Sequence, residues 1–368
     1  MHPPSSQAKI ILFNHNRTAK MIFFFGETPD GWGIPGIHGM LAEDELDGYV
    51  QGAVYLIRGD GENLLIDSGN WSLPEFNNGM GEFLIKLLDK EKNKLKYIFL
   101  THFHYDHVGN ADALKKRYGA EILCHPLDRP IIEDPLIVTR PENVTRFGLS
   151  PEELLADFNL EAGESLGLSD PEIIRRYWDF PVQVDRTVED GDLLEVGGLE
   201  LQTVHLPGHA PGQIGLWNPK TSTLYSADLL HYPTPLGPYP IGDAKAHSRS
   251  IQRSLELAPE FLLEGHGLSA YSKASSRRRL VHMQIQQQDT RNRILFVLRR
   301  FDRPSTILEL LPEVLPIKTD LDYPVSTGIG EARAYAKACI QCHLVWLVED
   351  GLVQRVKEDG KIAFLAKR

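Results

Sequence analysis

Disulfides are all but excluded as a framework, because the chain has three cysteines (Cys124, Cys339, Cys342) in 368 residues. A staple pattern needs an even, dense set, so a reducing compartment and a cytoplasmic location are the default expectation. Long apolar runs are missing too. Met21–Phe25 is the longest early stretch, far short of the roughly 18–20 residues that cross a bilayer, which excludes a membrane-spanning helix. That short run has no cleavage-like sequel, so no secretory signal is read. Internal repeats and low-complexity tracts are absent, and whole-chain disorder is excluded by 42% hydrophobic residues with charge of mixed sign.

What is present is enough chain for two domains, with an uneven charge. The net charge is −11. Residues 1–267 hold 22 Lys and Arg against 39 Asp and Glu, a net −17, while residues 268–368 hold 17 against 11, a net +6. Two explanations fit: the basic tail contacts nucleic acid, or it neutralises the acidic body.

Residues 1–20, with Pro3, Pro4, Ser5 and Ser6, read as a loose arm. Beyond them, short β-rich runs bounded by Gly, Asp and Asn alternate with helical patterns. Tyr49–Arg58 and Asn63–Ile66 flank Gly59-Asp60-Gly61-Glu62 and predict a hairpin. Further strands are expected at Tyr97–Leu100, Glu121–Cys124, Glu200–Val204, Gln213–Trp217, Thr223–Ser226 and Phe261–Leu263, and helices at Gly81–Asp89, Ala111–Tyr118 and Ser248–Ala258. This mixture predicts an α+β fold with helix-covered sheets over residues 21–268. Residues 127–182 read as a helical insertion, with capping patterns at Ser150-Pro151-Glu152-Glu153 and Ser169-Asp170-Pro171-Glu172. From 269 to 368 the order becomes helix (Ser275–Arg300), helix (Thr306–Leu311), helix (Glu331–Val348) and β-hairpin (Val353–Val356, Ile362–Leu365), the order of a winged-helix module.

The chemistry concentrates in Thr101-His102-Phe103-His104-Tyr105-Asp106-His107, directly after a predicted strand. Three imidazoles and a carboxylate in six positions form a metal-ligand density suited to Zn²⁺, with Fe and Mn chemically compatible. More donors recur at later strand ends: His209 in Pro207-Gly208-His209-Ala210-Pro211-Gly212, Asp228 after Thr223–Ser226, and His266 in Gly265-His266-Gly267.

This order, HxHxDH followed by His, Asp and His, resembles the metallo-β-lactamase superfamily of hydrolases. The resemblance is to the branch that holds glyoxalase II and the LACTB-like enzymes with a C-terminal winged helix, and it spans nearly the whole chain. Asp67-Ser68-Gly69 is similar to the family's Asp-x-Gly turn. The resemblance implies an αββα sandwich over 21–268 and two Zn²⁺ ions (Fe or Mn being the alternatives). His102, His104 and His209 would hold one ion, Asp106, His107 and His266 the other, with Asp228 between them. A metal-bound hydroxide, oriented by Asp106 as catalytic residue, would attack an acyl ester or thioester, as in hydroxyacylglutathione hydrolase. A lactonase or an endoribonuclease using the basic C-terminal domain are the alternatives, and a homodimer is compatible with either.

Other signals weigh less. Arg277, Arg278, Arg279, Arg291, Arg293, Arg299 and Arg300 give one helix a basic face, with only Phe296 and Phe301 nearby for base stacking; a small-molecule acyl substrate is therefore favoured over nucleic acid. Cys339-Ile340-Gln341-Cys342-His343 matches the haem-attachment string, but Ile340, Leu344 and Leu347 mark it as the core stripe of a helix. Tyr105, His231, Tyr232 and His247 are candidate substrate contacts, each with packing as the competing explanation.

Overall fold

Strand β6 (Val54–Arg58) shows how the molecule is layered: its side chains are buried on both faces. Val54 and Leu56 point into one core, and Tyr55 and Ile57 into another. A strand buried on both faces needs a layer on each side, and the rest of the fold supplies them. The computed structural model describes residues 9–15, 19–34, 37–41, 46–70, 80–139, 182–230, 242–266, 272–315, 328–358 and 361–368.

The first sheet has eight strands, in the order β1 (Lys9–His15), β2 (Ala19–Thr28), β3 (Gly31–Ile34), β6, β7 (Glu62–Ile66), β8 (Lys94–Phe99), β9 (Glu121–Cys124) and β10 (Arg186–Thr187). Strands β4 (Ile37–Leu41) and β5 (Leu46–Gln51) form a separate pair. Pairing is antiparallel up to β7 and parallel from β7 to β10. The second sheet runs β11 (Leu193–Val196), β12 (Leu199–His205), β13 (Ile214–Asn218), β14 (Thr223–Ala227) and β15 (Phe261–Glu264), with only the last pair parallel.

Helix α1 (Met80–Leu88) buries Met80, Phe83, Leu84, Leu87 and Leu88, an apolar stripe at helical spacing. With α3 (Ala111–Tyr118) it packs on the outer face of the first sheet. Between the sheets lie Tyr55, Leu64, Ile66, Phe99 and Leu123 from one side, and Leu194, Leu201, Ile214, Leu216 and Leu263 from the other. On the far face of the second sheet, Leu224 and Leu262 meet Ile251 of α5 (Ala244–Leu257) and Leu280 and Met283 of α6 (Lys273–Phe301). The result is helix, sheet, sheet, helix, as expected. Between β8 and α3 stands the single turn α2 (Tyr105–Val108), and α4 (Arg129–Glu133) follows β9.

Within residues 1–20, Lys9–His15 is the edge strand β1, paired antiparallel with β2 from Lys9 opposite Phe25 to His15 opposite Ala19. The apolar run Ile10-Ile11-Leu12-Phe13 outweighs the neighbouring Pro and Ser residues. Helix α6 places Leu280 and Met283 against the second sheet and Ile294, Leu295, Val297 and Leu298 in the C-terminal core, so one helix serves both. Burying the first pair contributes about 1.5–3 kcal/mol per side chain.

The C-terminal core joins α6 to α7 (Ile307–Val314), α8 (Gly328–Glu349) and the hairpin β16 (Val353–Glu358) and β17 (Lys361–Ala366). In α8, Ile340, Leu344 and Leu347 are buried as the stripe predicted. The Cys-x-x-Cys-His side chains are spent on packing: Cys342 Sγ donates to the Gly242 carbonyl at 3.1 Å, and His343 Nδ1 lies 2.7 Å from the Cys339 carbonyl. Charge complementarity between body and tail is only partial. Arg279 of α6 grips Glu264 of β15, but Lys245 of α5 pairs with Glu349 and Asp350 in the opposite sense. Among the described residues no helix is long and apolar enough to cross a membrane. The capping patterns at 150 and 169, and most of the 127–182 insertion, lie outside the described residues.

Candidate metal centre

Four strands of the two sheets end on the same rim, and each end carries a metal-competent side chain. β8 leads through Thr101 into His102 and His104. The turn α2 then presents Asp106 and His107, both buried. β12 leads into His209, β14 into Asp228 and β15 into His266. The end of β15 comes so close to the end of β14 that a Cβ on Gly265 would overlap Asp228 Oδ1. Only glycine allows that approach.

The donors form two groups. His102, His104, His209 and Asp228 lie with one ligand atom each within 4.8 Å of one another, and so do Asp106, His107 and His266. In the first group His104 Nδ1 is 2.9 Å from His102 Nε2 and 2.8 Å from His209 Nε2. In the second, His266 Nε2 is 3.2 Å from His107 Nε2 and 3.1 Å from Asp106 Oδ2. Asp228 faces both: its Oδ2 is 3.3 Å from His209 Nε2 and 3.3 Å from His266 Nε2, and its Oδ1 is 3.4 Å from His107 Nε2. All seven side chains are buried.

Imidazole nitrogens crowded at these distances cannot all be satisfied by hydrogens shared between rings, since a neutral imidazole offers one donor and one acceptor. A shared cation satisfies them. The electrostatics agree. Burial and the neighbouring His107 and His104 hold the His102 imidazole well below its ordinary value, so it stays a neutral donor. Burial opposes ionisation of Asp228, but His266, His107 and His209 outweigh it and hold the carboxyl well below the usual range. Burial likewise opposes ionisation of Asp106, and His107 and His266 outweigh it. His107 and His266 differ: burial opposes their charge, but Asp228 and Asp106 outweigh it, holding the His107 imidazole well above its ordinary value and that of His266 up to about 9, so both rings give up a proton when a cation binds. The residues thus offer imidazole nitrogens and charged oxygens, the donor set of Zn²⁺, Fe or Mn sites.

Three supporting residues carry more than the sequence pattern revealed. Asp67 Oδ2 lies 2.8 Å from His107 Nδ1, and its two oxygens accept from the Thr101 N–H and hydroxyl, each at 2.8 Å. Thr101 Oγ1 is 3.0 Å from His102 Nδ1. Ser68 anchors α2, its N–H and hydroxyl donating to the His107 carbonyl at 2.7 and 2.9 Å. The Asp-Ser-Gly turn was visible in the sequence, but its reach to His107 was not.

Among the candidate substrate contacts, Tyr105 opens α2 half-buried and packs against the outer core. His247 is buried, its Nε2 2.8 Å from the Leu229 carbonyl. His231 and Tyr232 lie outside the described residues.

The fold and this donor arrangement define the class, and comparison with known proteins agrees. A family model described as the Metallo-beta-lactamase superfamily matches residues 47–266, and the chain belongs to that superfamily. Hydroxyacylglutathione hydrolase GloC of Haemophilus influenzae is 29% identical over 194 residues, covering 51% of this chain and 76% of its own. Acyl-coenzyme A thioesterase MBLAC2 of Gallus gallus is 26% identical over 222 residues, covering 57% of this chain and 69% of its own. The crystal structure of a metallo-beta-lactamase family protein from Thermus thermophilus superimposes with a TM-score of 0.62 at 23% identity, over 86% of this chain and 94% of that one.

Proposed function

We propose that the protein is a dinuclear metal-dependent hydrolase of acyl thioesters or esters. The observation that carries this reading is Asp228, whose carboxylate lies between two separate buried donor groups and touches both. A structural zinc site is closed and mononuclear, and has no use for such a residue. His102, His104 and His209 would hold one ion, Asp106, His107 and His266 the other, and Asp228 would be shared. Zn²⁺ suits the donors best. Two such ions, when bound, ionise water near neutral pH and polarise a carbonyl oxygen.

The protein's part is to fix and insulate that centre. Asp67 orients His107, Thr101 steadies His102, and Asp106, beside His107 and His266, would orient the attacking oxygen. No residue of the chain has to serve as nucleophile. Two similar proteins support the substrate class, one named for hydrolysis of hydroxyacylglutathione and one a thioesterase. Four of the seven helix arginines are committed inside the protein: Arg279 to Glu264, Arg291 to Asp350, Arg293 to the Val314 carbonyl and Arg300 to Glu313. That commitment supports a small-molecule substrate over a nucleic acid, and an architectural role for a winged-helix-like C-terminal domain.

The test is turnover of acyl thioesters, lactones and single-stranded RNA by zinc-loaded protein, side by side. Thioester turnover is expected, with Asp228→Ala and His104→Ala each losing it by orders of magnitude together with bound metal. Full activity in either variant refutes the assignment.

A further inference from the structure

Asp128 lies outside the seven donors, just before α4, and is wholly buried. Among the described residues no lysine or arginine pairs with it. A buried carboxylate without a counter-ion costs several kcal/mol, so its contacts matter. Oδ2 accepts from the Phe103 N–H at 3.2 Å and Oδ1 from the Gly212 N–H at 2.6 Å. Phe103 is the residue between His102 and His104. Gly212 closes the loop that carries His209. The carboxylate is therefore a direct strap between the two loops that supply the first donor group, which come from different sheets.

Its own backbone is fixed. The Asp128 N–H donates to the His125 carbonyl at 3.1 Å, and its carbonyl accepts from Ile131 and Ile132 at 3.0 Å each. The fit at Gly212 is tight as well: a Cβ there would stand 2.6 Å from Asp128 Oδ1 and 2.8 Å from its backbone nitrogen. Among the described residues, the second donor group has no bond to Asp128; its His107 is held by Asp67, which also accepts from Thr101 before His102, and by the Ser68 turn.

We infer that Asp128 is a positioning residue for the first metal subsite alone, setting the spacing at which His102, His104 and His209 meet one cation. The inference rests on the dinuclear reading above. Outer partners of metal ligands typically change metal affinity 10–100-fold.

The experiment measures zinc affinity by competition with a chelating indicator in two single-site backgrounds. His266→Ala disables the second subsite and His209→Ala the first. Adding Asp128→Asn is expected to weaken zinc about 10–100-fold in the His266→Ala background and to leave the His209→Ala background unchanged. Gly212→Ala, whose Cβ displaces the Asp128 carboxylate, is expected to reproduce the same one-sided loss, and stands in if Asp128→Asn does not fold. Equal losses in both backgrounds, or none in either, overturn the inference while leaving the dinuclear reading intact. Failure of the unmutated protein to bind zinc removes that reading, and this inference with it.

Discussion

Removing the Arg279 guanidinium should destabilise the whole molecule, because Arg279 joins the long helix α6 to the strand that delivers His266. The Arg279 guanidinium clasps both carboxylate oxygens of Glu264, whose side chain is 1% exposed. Breaking a fully buried ion pair from one side costs about 3–5 kcal/mol, since the remaining charge stays in a poor solvent. Here the arginine side chain is 37% exposed, so solvent screens part of the interaction and about 2–3 kcal/mol is the reasoned figure. In a protein of this size each kcal/mol moves the melting temperature by about 1–2 °C. Arg279→Ala should therefore melt about 2–5 °C lower. Burial raises the Glu264 carboxyl to about 7 even beside Arg279, so without the arginine it must take up a proton or stay stranded, and adding Glu264→Gln should recover part of that loss by removing this cost. Thermal unfolding of the two single variants and the double variant closes the cycle. A melting temperature unchanged in Arg279→Ala, or a strictly additive cycle, would refute the view that this pair couples the C-terminal helices to the two-sheet sandwich.

Two further outcomes follow from the geometry. Asp67→Asn exchanges the charge-assisted bond to His107 for a neutral one, a loss of about 1–2 kcal/mol. Calorimetric zinc titration should show one of two binding events weakened about 10-fold or more, and two unchanged events would contradict it. Burial pushes the imidazoles of His247 and His343 down to about 4 each, from an ordinary 6.5. The unfolded chain then binds more protons than the folded one between pH 6.5 and 4. Their contribution is complete above pH 6.5 and is lost as pH falls towards 4, by as much as about 3 kcal/mol for each. Urea unfolding at pH 7 and pH 4.5 should show a smaller drop in His343→Asn than in the unmutated protein, and an identical drop would count against the assignment.

The donors were legible because a strand end is a local signal. Strands β8, β12, β14 and β15 each show as an apolar-rich run, with Pro207-Gly208 and Gly265 marking the stops after β12 and β15, and the donor stands just past the strand end. Such runs reveal where a chain emerges from a core without revealing its neighbours. Asp67 and Asp128 were missed as supports for this reason. Each is a short acidic residue in a turn-rich stretch, and its partners lie 25 to 84 residues away in sequence. A carboxylate that accepts backbone N–H bonds also leaves no complementary residue to find, since any residue but proline could be the donor.

The arginines of α6 fail to speak for a related reason. A basic face reads the same whether it meets phosphate, solvent or an acid on another element, and here part of it meets Glu264, Asp350 and Glu313. Charge counted over a segment therefore says little about its partner. The sign of the two segments would have predicted attraction between body and tail, yet Lys245 reaches from the acidic body to Glu349 and Asp350 in the basic tail. What decides the interface is the pairing of individual groups on α5, α6 and α8 around the buried Ala244, Cys339 and Cys342. The C-terminal helices are tied to the layer behind β15, and through Glu264, which stands two positions before His266, to the strand that delivers that donor.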